Sequence, residues 1–221
     1  ICAFWQLYDT VIPLILRDTF RIGDARAGQI MALDNVLALF LLPWFGRLSD
    51  RCNSRMGRRM PFIVFGTIAA VALMLVLTAM DAPGRFPAFF TVLLLLLLAM
   101  GSYRSPAVAL MPDVTPKPLR SKANAIINLM GALGGVFALA VIRLLPAAAE
   151  GARANYFPAF TAVAALMALS VLLVYCRVDE RALRAEMPPE PEEETAPGGR
   201  LPRELRTSLI LILCSVALWY M

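Results

Sequence analysis

Histidine is absent from all 221 residues, which removes the commonest general base and the commonest metal ligand together. Cysteine is scarce and dispersed. Cys2, Cys52, Cys176 and Cys214 form no Cys-x-x-Cys pair, so neither a zinc site nor a disulfide framework is expected, and the four read as apolar fillers or free thiols. No nucleophile elbow is recognisable either, and the chain is not expected to be an enzyme. Charge is also in short supply. Only 17% of the residues are charged, against roughly a quarter in soluble globular domains, too few to cover a surface that faces water. The net charge of +5 raises nucleic acid as a partner, but the basic residues are scattered between apolar runs and form no basic face, so none is expected.

What the chain has instead is apolar length. Hydrophobic residues make up 59% and the mean hydropathy is +0.68. Runs fall at about Ile1–Leu16, Ile30–Phe45, Pro61–Met80, Phe86–Tyr103, Ala123–Leu145, Tyr156–Cys176 and Ser208–Met221. Crossing ~30 Å of hydrocarbon takes about 20 such residues in a helix. The run at Phe86–Tyr103 contains six consecutive leucines, Leu93 to Leu98, which no amphipathic helix of a soluble protein would carry. The fold class expected is an all-α membrane protein with six transmembrane helices and the start of a seventh. Ile1 and Met221 both lie inside apolar runs, and the chain reads as a fragment cut within its first and seventh helices.

The loops orient the bundle. With residues 46–60 placed in the cytoplasm, alternate connections on that side carry 14 basic residues and those on the other side 6, the bias expected of cytoplasmic loops. The 2–3, 4–5 and 6–7 connections are therefore expected inside, in a plasma (inner) membrane. Residues 177–206, with five prolines, two glycines and a glutamate run, are expected to form a mobile cytoplasmic linker. This divides the chain into a six-helix unit, 1–176, the linker, and the start of helix 7 at 207–221.

Ionisable residues inside spans are expensive and mark cavities or proton paths. Asp34 and Asp9 sit within apolar runs and are the candidate proton-binding groups; structural carboxylates bonded to a neighbouring helix are the alternative. Arg104 is the basic residue deep within a span and needs a carboxylate, with Asp9 and Asp34 as candidate partners. Trp5, Gln6 and Tyr8 cluster beside Asp9, and flat rings next to fixed polar groups suit the faces and hydroxyls of a sugar. Asn35 and Asn128 complete the candidate substrate-binding set. Asn124, Asn128, Gly131 and Gly135 form a small and polar stripe that also suits close helix packing. Asp113, Arg120 and Lys122 border the second cytoplasmic loop, within reach of charge pairs with the first.

That first loop reads GRLSDRCNSRMGRRMP, Gly46 to Pro61. With Gly46, Asp50 and Arg51 followed by Gly57, Arg58 and Arg59, it resembles the signature loop of the major facilitator superfamily. The longer form SDRCNSRMGRRMPFI and the later stretch Pro106–Gly135 are similar to the sucrose/proton symporters and to the glycoside–pentoside–hexuronide cation symporters. The resemblance implies an N-terminal half of a twelve-helix transporter that works by alternating access. In it the loop residues would form a conformational latch, and Gly46 would let helix 2 approach a helix of the other half. Melibiose-type members carry an Asp pair where this chain has Ala38 and Leu42, so the coupling ion implied is H+ and not sodium. Plant sucrose carriers have an Arg where this chain has Val108, with Arg104 one turn away. The function expected is proton-coupled symport of a sugar or glycoside; the alternatives are export of another small solute, or a non-transporting sensor or assembly protein. Expected partners are that substrate, lipid and a C-terminal half, with no cofactor or metal.

Overall fold

Hydrocarbon offers backbone amides no partners, so a chain of this composition must satisfy them within helices. The computed structural model does this over the residues it describes, 1–144, 155–185, 207–208 and 211. The elements in order are α1 (Cys2–Asp18), α2 (Asp24–Met31), α3 (Leu33–Arg51), α4 (Met60–Ala79), α5 (Phe86–Val114), α6 (Arg120–Leu144), α7 (Phe157–Arg177) and α8 (Glu180–Ala185). A 3₁₀ turn, Lys117–Leu119, leads into α6. Besides an isolated bridge between Ser54 and Gly57, no β-structure occurs among the described residues.

Five stretches are long and apolar enough to cross a membrane: 24–51, Met60–Ala79, Phe86–Val114, 117–144 and Phe157–Arg177. With α1, of 17 residues, they make up the six helices expected. The chain divides into a unit Ile1–Met187 and a unit Pro188–Met221. The second is described at Thr207, Ser208 and Leu211, all helical; the rest of the expected seventh helix and most of the expected linker lie outside the described residues.

Two boundaries differ from the hydropathy reading. α3 runs on from Phe45 to Arg51, so Gly46–Arg51 is helix and the true loop is residues 52–59. α5 continues past Tyr103, through Pro106 and Pro112, to Val114. Its 29 residues span about 44 Å by the helical rise, well beyond the hydrocarbon. Hydropathy marks only the part that must avoid water, whereas the backbone stays helical until something breaks it. A third difference lies after α7: residues 180–185 form a helix, and Glu180 is buried, where a solvated linker was expected.

α5 packs between α3 and α4, α4 packs in turn on α7, and α1 lies along α6. Buried positions repeat at helical spacing: Phe4, Leu7, Tyr8, Val11, Ile12, Ile15 and Leu16 on α1, and Phe160, Val163, Ala164 and Met167 on α7. In the leucine run Leu93, Leu96 and Leu97 are buried while Leu95 and Leu98 face outward. α3 and α6 bury only 6% of their most apolar windows, against 28–39% for α4, α5 and α7, so most of their apolar surface is free within this unit.

Small residues set the closest approaches, as is usual where lipid supplies no hydrophobic drive between helices. A Cβ added at Gly66 would lie 2.7 Å from Tyr103 Cβ, one at Gly101 would lie 2.9 Å from Leu41 Cδ1, and one at Gly131 would lie 2.9 Å from Cys2 Sγ. The α6 stripe therefore serves packing against α1. Gly46 meets Ser105 Oγ of α5, 3.0 Å from an added Cβ, so among the described residues its close approach is to α5. Gly66→Val should destabilise the full-length protein by about 1–3 kcal/mol through overpacking against Tyr103. Gly28→Ala, with nothing within 4 Å of the added carbon, should not. Thermal unfolding in detergent tests both, and equal shifts would refute this account of α4–α5 packing.

Candidate functional site

Three of the ionisable and aromatic candidates converge inside the bundle. Trp5 of α1, Asp34 of α3 and Arg104 of α5 line one cleft together with Leu37, Ala38, Leu41, Leu42, Leu97 and Gly101. Its free volume is about 10 Å³, room for about one water molecule, so the walls are closed on each other. The Arg104 guanidinium carbon lies 5.0 Å from the Trp5 ring centroid, a cation–π distance. Trp5 is held from behind by edge-to-face contacts with Phe4 (5.3 Å) and Tyr8 (5.5 Å).

The charges in this cleft are not paired with each other. Arg104 makes no ion pair with Asp34 or Asp9; its partner here is the indole face. Asp34 Oδ1, Trp5 Nε1 and Tyr8 Oη are buried with no hydrogen-bond partner among the described residues. Such orphans are rare in settled structure and call for a functional explanation.

The other candidates lie elsewhere. Tyr8 is fully buried in the α1 core and supports Trp5 from below the cleft. Asp9, Asn35 and Asn128 are exposed and do not line the cleft. Gln6 is engaged on its own helix, donating from Nε2 to Thr10 Oγ1 at 3.4 Å while Thr10 donates back to the Gln6 carbonyl at 2.7 Å. A larger cavity of about 540 Å³, bordered by Ile1–Ala3, Thr67, Tyr103, Met130 and Ser170, has no carboxylate, Lys or Arg in its wall.

A second cluster gathers at the end of the bundle that carries the 52–59 loop. Its centre is the Arg59 guanidinium, 7% exposed as a residue. Nη2 pairs with Asp50 of α3 at 2.5 Å, Nε with Asp113 of α5 at 2.9 Å, and Nη1 donates to Ser49 Oγ at 2.5 Å and to the Gly46 carbonyl at 3.5 Å. Arg58 donates from Nε and Nη2 to the Asp50 carbonyl, at 3.0 and 2.5 Å, placing a cation on the exposed last turn of α3, where the helix dipole favours it. Arg51 is exposed and stands outside the cluster. Of the charges bordering the second loop, Asp113 joins it, while Arg120 donates to the Thr115 carbonyl at 3.1 Å.

The residue that sequence reasoning missed is Glu180. Its carboxylate accepts from the backbone N–H groups of Arg58 (2.8 Å), Arg59 (3.0 and 3.2 Å) and Met60 (3.2 Å). Its partners are amides and not side chains, so no charge pattern or residue spacing announces it. Ser49 and Asp113 were visible as part of, or close to, the loop motif.

A family model of the Major Facilitator Superfamily matches residues 1–221. The chain belongs to the major facilitator superfamily. It is similar to the sucrose transport protein SUC4 of Arabidopsis thaliana, with 32% identity over 134 residues covering 54% of this chain and 26% of that protein. It is also similar to the Arabidopsis sucrose transport protein SUC3, with 27% identity over 176 residues, covering 71% and 28% respectively. Proton-associated sugar transporter A of Homo sapiens is 27% identical over 230 residues, 90% of this chain and 30% of that protein. The chain thus spans under a third of the length of these relatives. No solved structure matches it significantly. Family and helices together make it an integral membrane protein of a transporter family, which points to a transporter and not an enzyme.

Because Asp50 and Asp113 share one guanidinium, their contributions should not add. Asp50→Asn and Asp113→Asn should each cost about 1–3 kcal/mol, and the double variant should cost measurably more than their sum, because it alone leaves the buried guanidinium with no carboxylate. Thermal or denaturant unfolding of the full-length protein gives the comparison, and strict additivity would show that Arg59 is not their common partner.

Proposed function

We propose that this chain is the N-terminal half of a secondary active transporter that moves a sugar or glycoside together with protons by alternating access. The observation that carries the proposal is the convergence of a carboxylate, a guanidinium and an indole face from three different helices on one cleft. The printed names of the relatives, sucrose transport proteins and a proton-associated sugar transporter, support the substrate class.

In this reading Asp34 binds the coupling proton. An ionised carboxylate is costly to enclose among Leu37, Leu41, Leu42 and Leu97, and a proton removes that cost. The closed state therefore favours the protonated form and the water-filled state releases it, which links proton movement to the conformational change. Ala38 and Leu42 both line the cleft, so the positions that would carry a sodium-binding Asp pair are apolar here, in favour of H+. Trp5 offers a flat face for a sugar ring and Arg104 donors for its hydroxyls. With about 10 Å³ free, the cleft must open before a sugar enters. The 52–59 loop faces the cytoplasm of a plasma (inner) membrane in this scheme, and the second half of the transporter covers the free apolar faces of α3 and α6.

Reconstituted full-length protein should accumulate a sugar such as sucrose when a pH gradient, acid outside, is imposed across the vesicle. Asp34→Asn should abolish accumulation driven by the gradient while leaving sugar exchange at equal pH, because the amide mimics the protonated state. Accumulation that persists undiminished in Asp34→Asn would refute Asp34 as the coupling group, and gradient-independent uptake by the unmodified protein would refute symport.

A further inference from the structure

Glu180 belongs to no part of the 52–59 loop or its flanking helices, yet it is 1% exposed and accepts three hydrogen bonds from that loop and a fourth from Met60, the first residue of α4. We propose that Glu180 is a positioning residue for the Arg59 cluster: by holding the backbone of residues 58–60 it aims the Arg59 guanidinium at Asp50 and Asp113, making the segment after α7 a working part of the latch.

The amides involved are the ones a helix leaves open. α4 starts at Met60, so the N–H groups of Arg58, Arg59 and Met60 have no carbonyl behind them in the helix, and they point along the positive end of a 20-residue helix dipole. A carboxylate is the natural partner there. The usual donor of such a cap is the residue just before the helix; here it is delivered from about 120 residues downstream. No cation pairs with Glu180 among the described residues, so the amides and the helix end alone balance its buried charge.

Both halves of Arg59 are therefore committed. Its main chain is fixed by Glu180 and its side chain by Asp50, Asp113 and Ser49. Without the first set the second has no fixed origin. Glu180 is itself held in place: Asp179 Oδ1 accepts from the N–H groups of Arg181 (3.0 Å) and Ala182 (3.1 Å), which caps the short α8 that Glu180 begins.

Gly57 is an independent sign that the contact is built. Its φ of +109° is a conformation that side chains rarely adopt, and a Cβ there would run into the Glu180 carboxylate. Gly57 thus does two jobs, turning the chain and leaving space for a carboxylate from α8.

This role rests on the transporter reading, but one of its tests does not. In full-length protein with Cys2, Cys176 and Cys214 replaced by Ser, Cys52 is a reporter beside the cluster. Glu180→Ala and, to a smaller extent, Glu180→Gln should both raise the rate of Cys52 labelling by N-ethylmaleimide, because the amide keeps one accepting oxygen for the three N–H groups but loses the second oxygen and the charge. In proteoliposomes both variants should lower Vmax for sucrose by about tenfold and leave KM within about twofold, since the substrate cleft is untouched. Glu180→Asp, which keeps the charge, should recover part of the rate, and Gly57→Ala should reproduce the loss. Wild-type labelling and Vmax in Glu180→Gln would overturn the proposal in favour of simple packing, as would a change confined to KM. If the protein carries no sucrose, unchanged Cys52 labelling in Gln and Ala variants alone overturns it. If Glu180→Ala does not reach the membrane, Glu180→Asp and Gly57→Ala decide, and wild-type behaviour in both refutes it.

Discussion

The Arg59 guanidinium carries a full charge into a place where water hardly reaches it, and the ends of four helices are arranged to meet that constraint. An uncompensated buried charge costs several kcal/mol, so two carboxylates must be brought to it with good geometry. Asp50 arrives because α3 stays helical beyond the apolar run, and Asp113 because α5 does the same past two prolines. Helix length that hydropathy cannot explain is thus explained by the charge it delivers. The remaining donors go to Ser49 and the Gly46 carbonyl, and the close fit of Gly46 on Ser105 keeps α3 near enough to α5 for both carboxylates to share one cation.

The cleft at Trp5, Asp34 and Arg104 shows the opposite condition. Its charges lie in one small space but are not joined, and Asp34 Oδ1 and Trp5 Nε1 there lack partners, as does Tyr8 Oη below it; Thr67 Oγ1 and Asp81 Oδ1 are the other such atoms among the described residues. Structural polar groups in proteins are satisfied almost without exception, as those around Arg59 are. Groups left unsatisfied within an otherwise consistent fold are where function is expected. Arg104 resting on an indole, not on a carboxylate, is a weakly held cation that can be redirected, since a cation–π contact contributes only about 0.5–2 kcal/mol.

The membrane architecture was legible because it rests on a coarse, strong signal: apolar runs too long and too uniform for anything but spanning helices. The Gly46–Pro61 motif was legible because its glycines, Asp50 and arginines stand at fixed spacing. The inward faces were harder to read. Within Leu93–Leu98 every residue is the same, so only the packing reveals that Leu93, Leu96 and Leu97 turn inward. Asp34, Trp5 and Arg104 were each identifiable as costly or amphipathic residues in a span, but three helices apart in the chain they carry no mark of meeting. Asn35 and Asn128, also in the candidate binding set though Asn128 equally suits helix packing, are exposed and lie off the cleft. Glu180 was the least legible, sitting in a charged, proline-rich stretch that reads as solvated linker and bonding only to backbone.

The cleft and the Arg59 cluster are not independent, because the same two helices carry both. Asp34 and Asp50 lie on α3, roughly 24 Å apart by the helical rise, and Arg104 and Asp113 lie on α5, roughly 13 Å apart by the same measure. A change that moves one end of either helix therefore moves the other, unless the helix bends between them. Each has places to bend: Pro43 stands between the two sites on α3, and Pro106 and Pro112 between them on α5. A proline removes one backbone hydrogen bond and is among the few recognised causes of a kink. The connection between cleft and cluster is accordingly stiff along most of each helix and compliant at its prolines, one on α3 and two on α5.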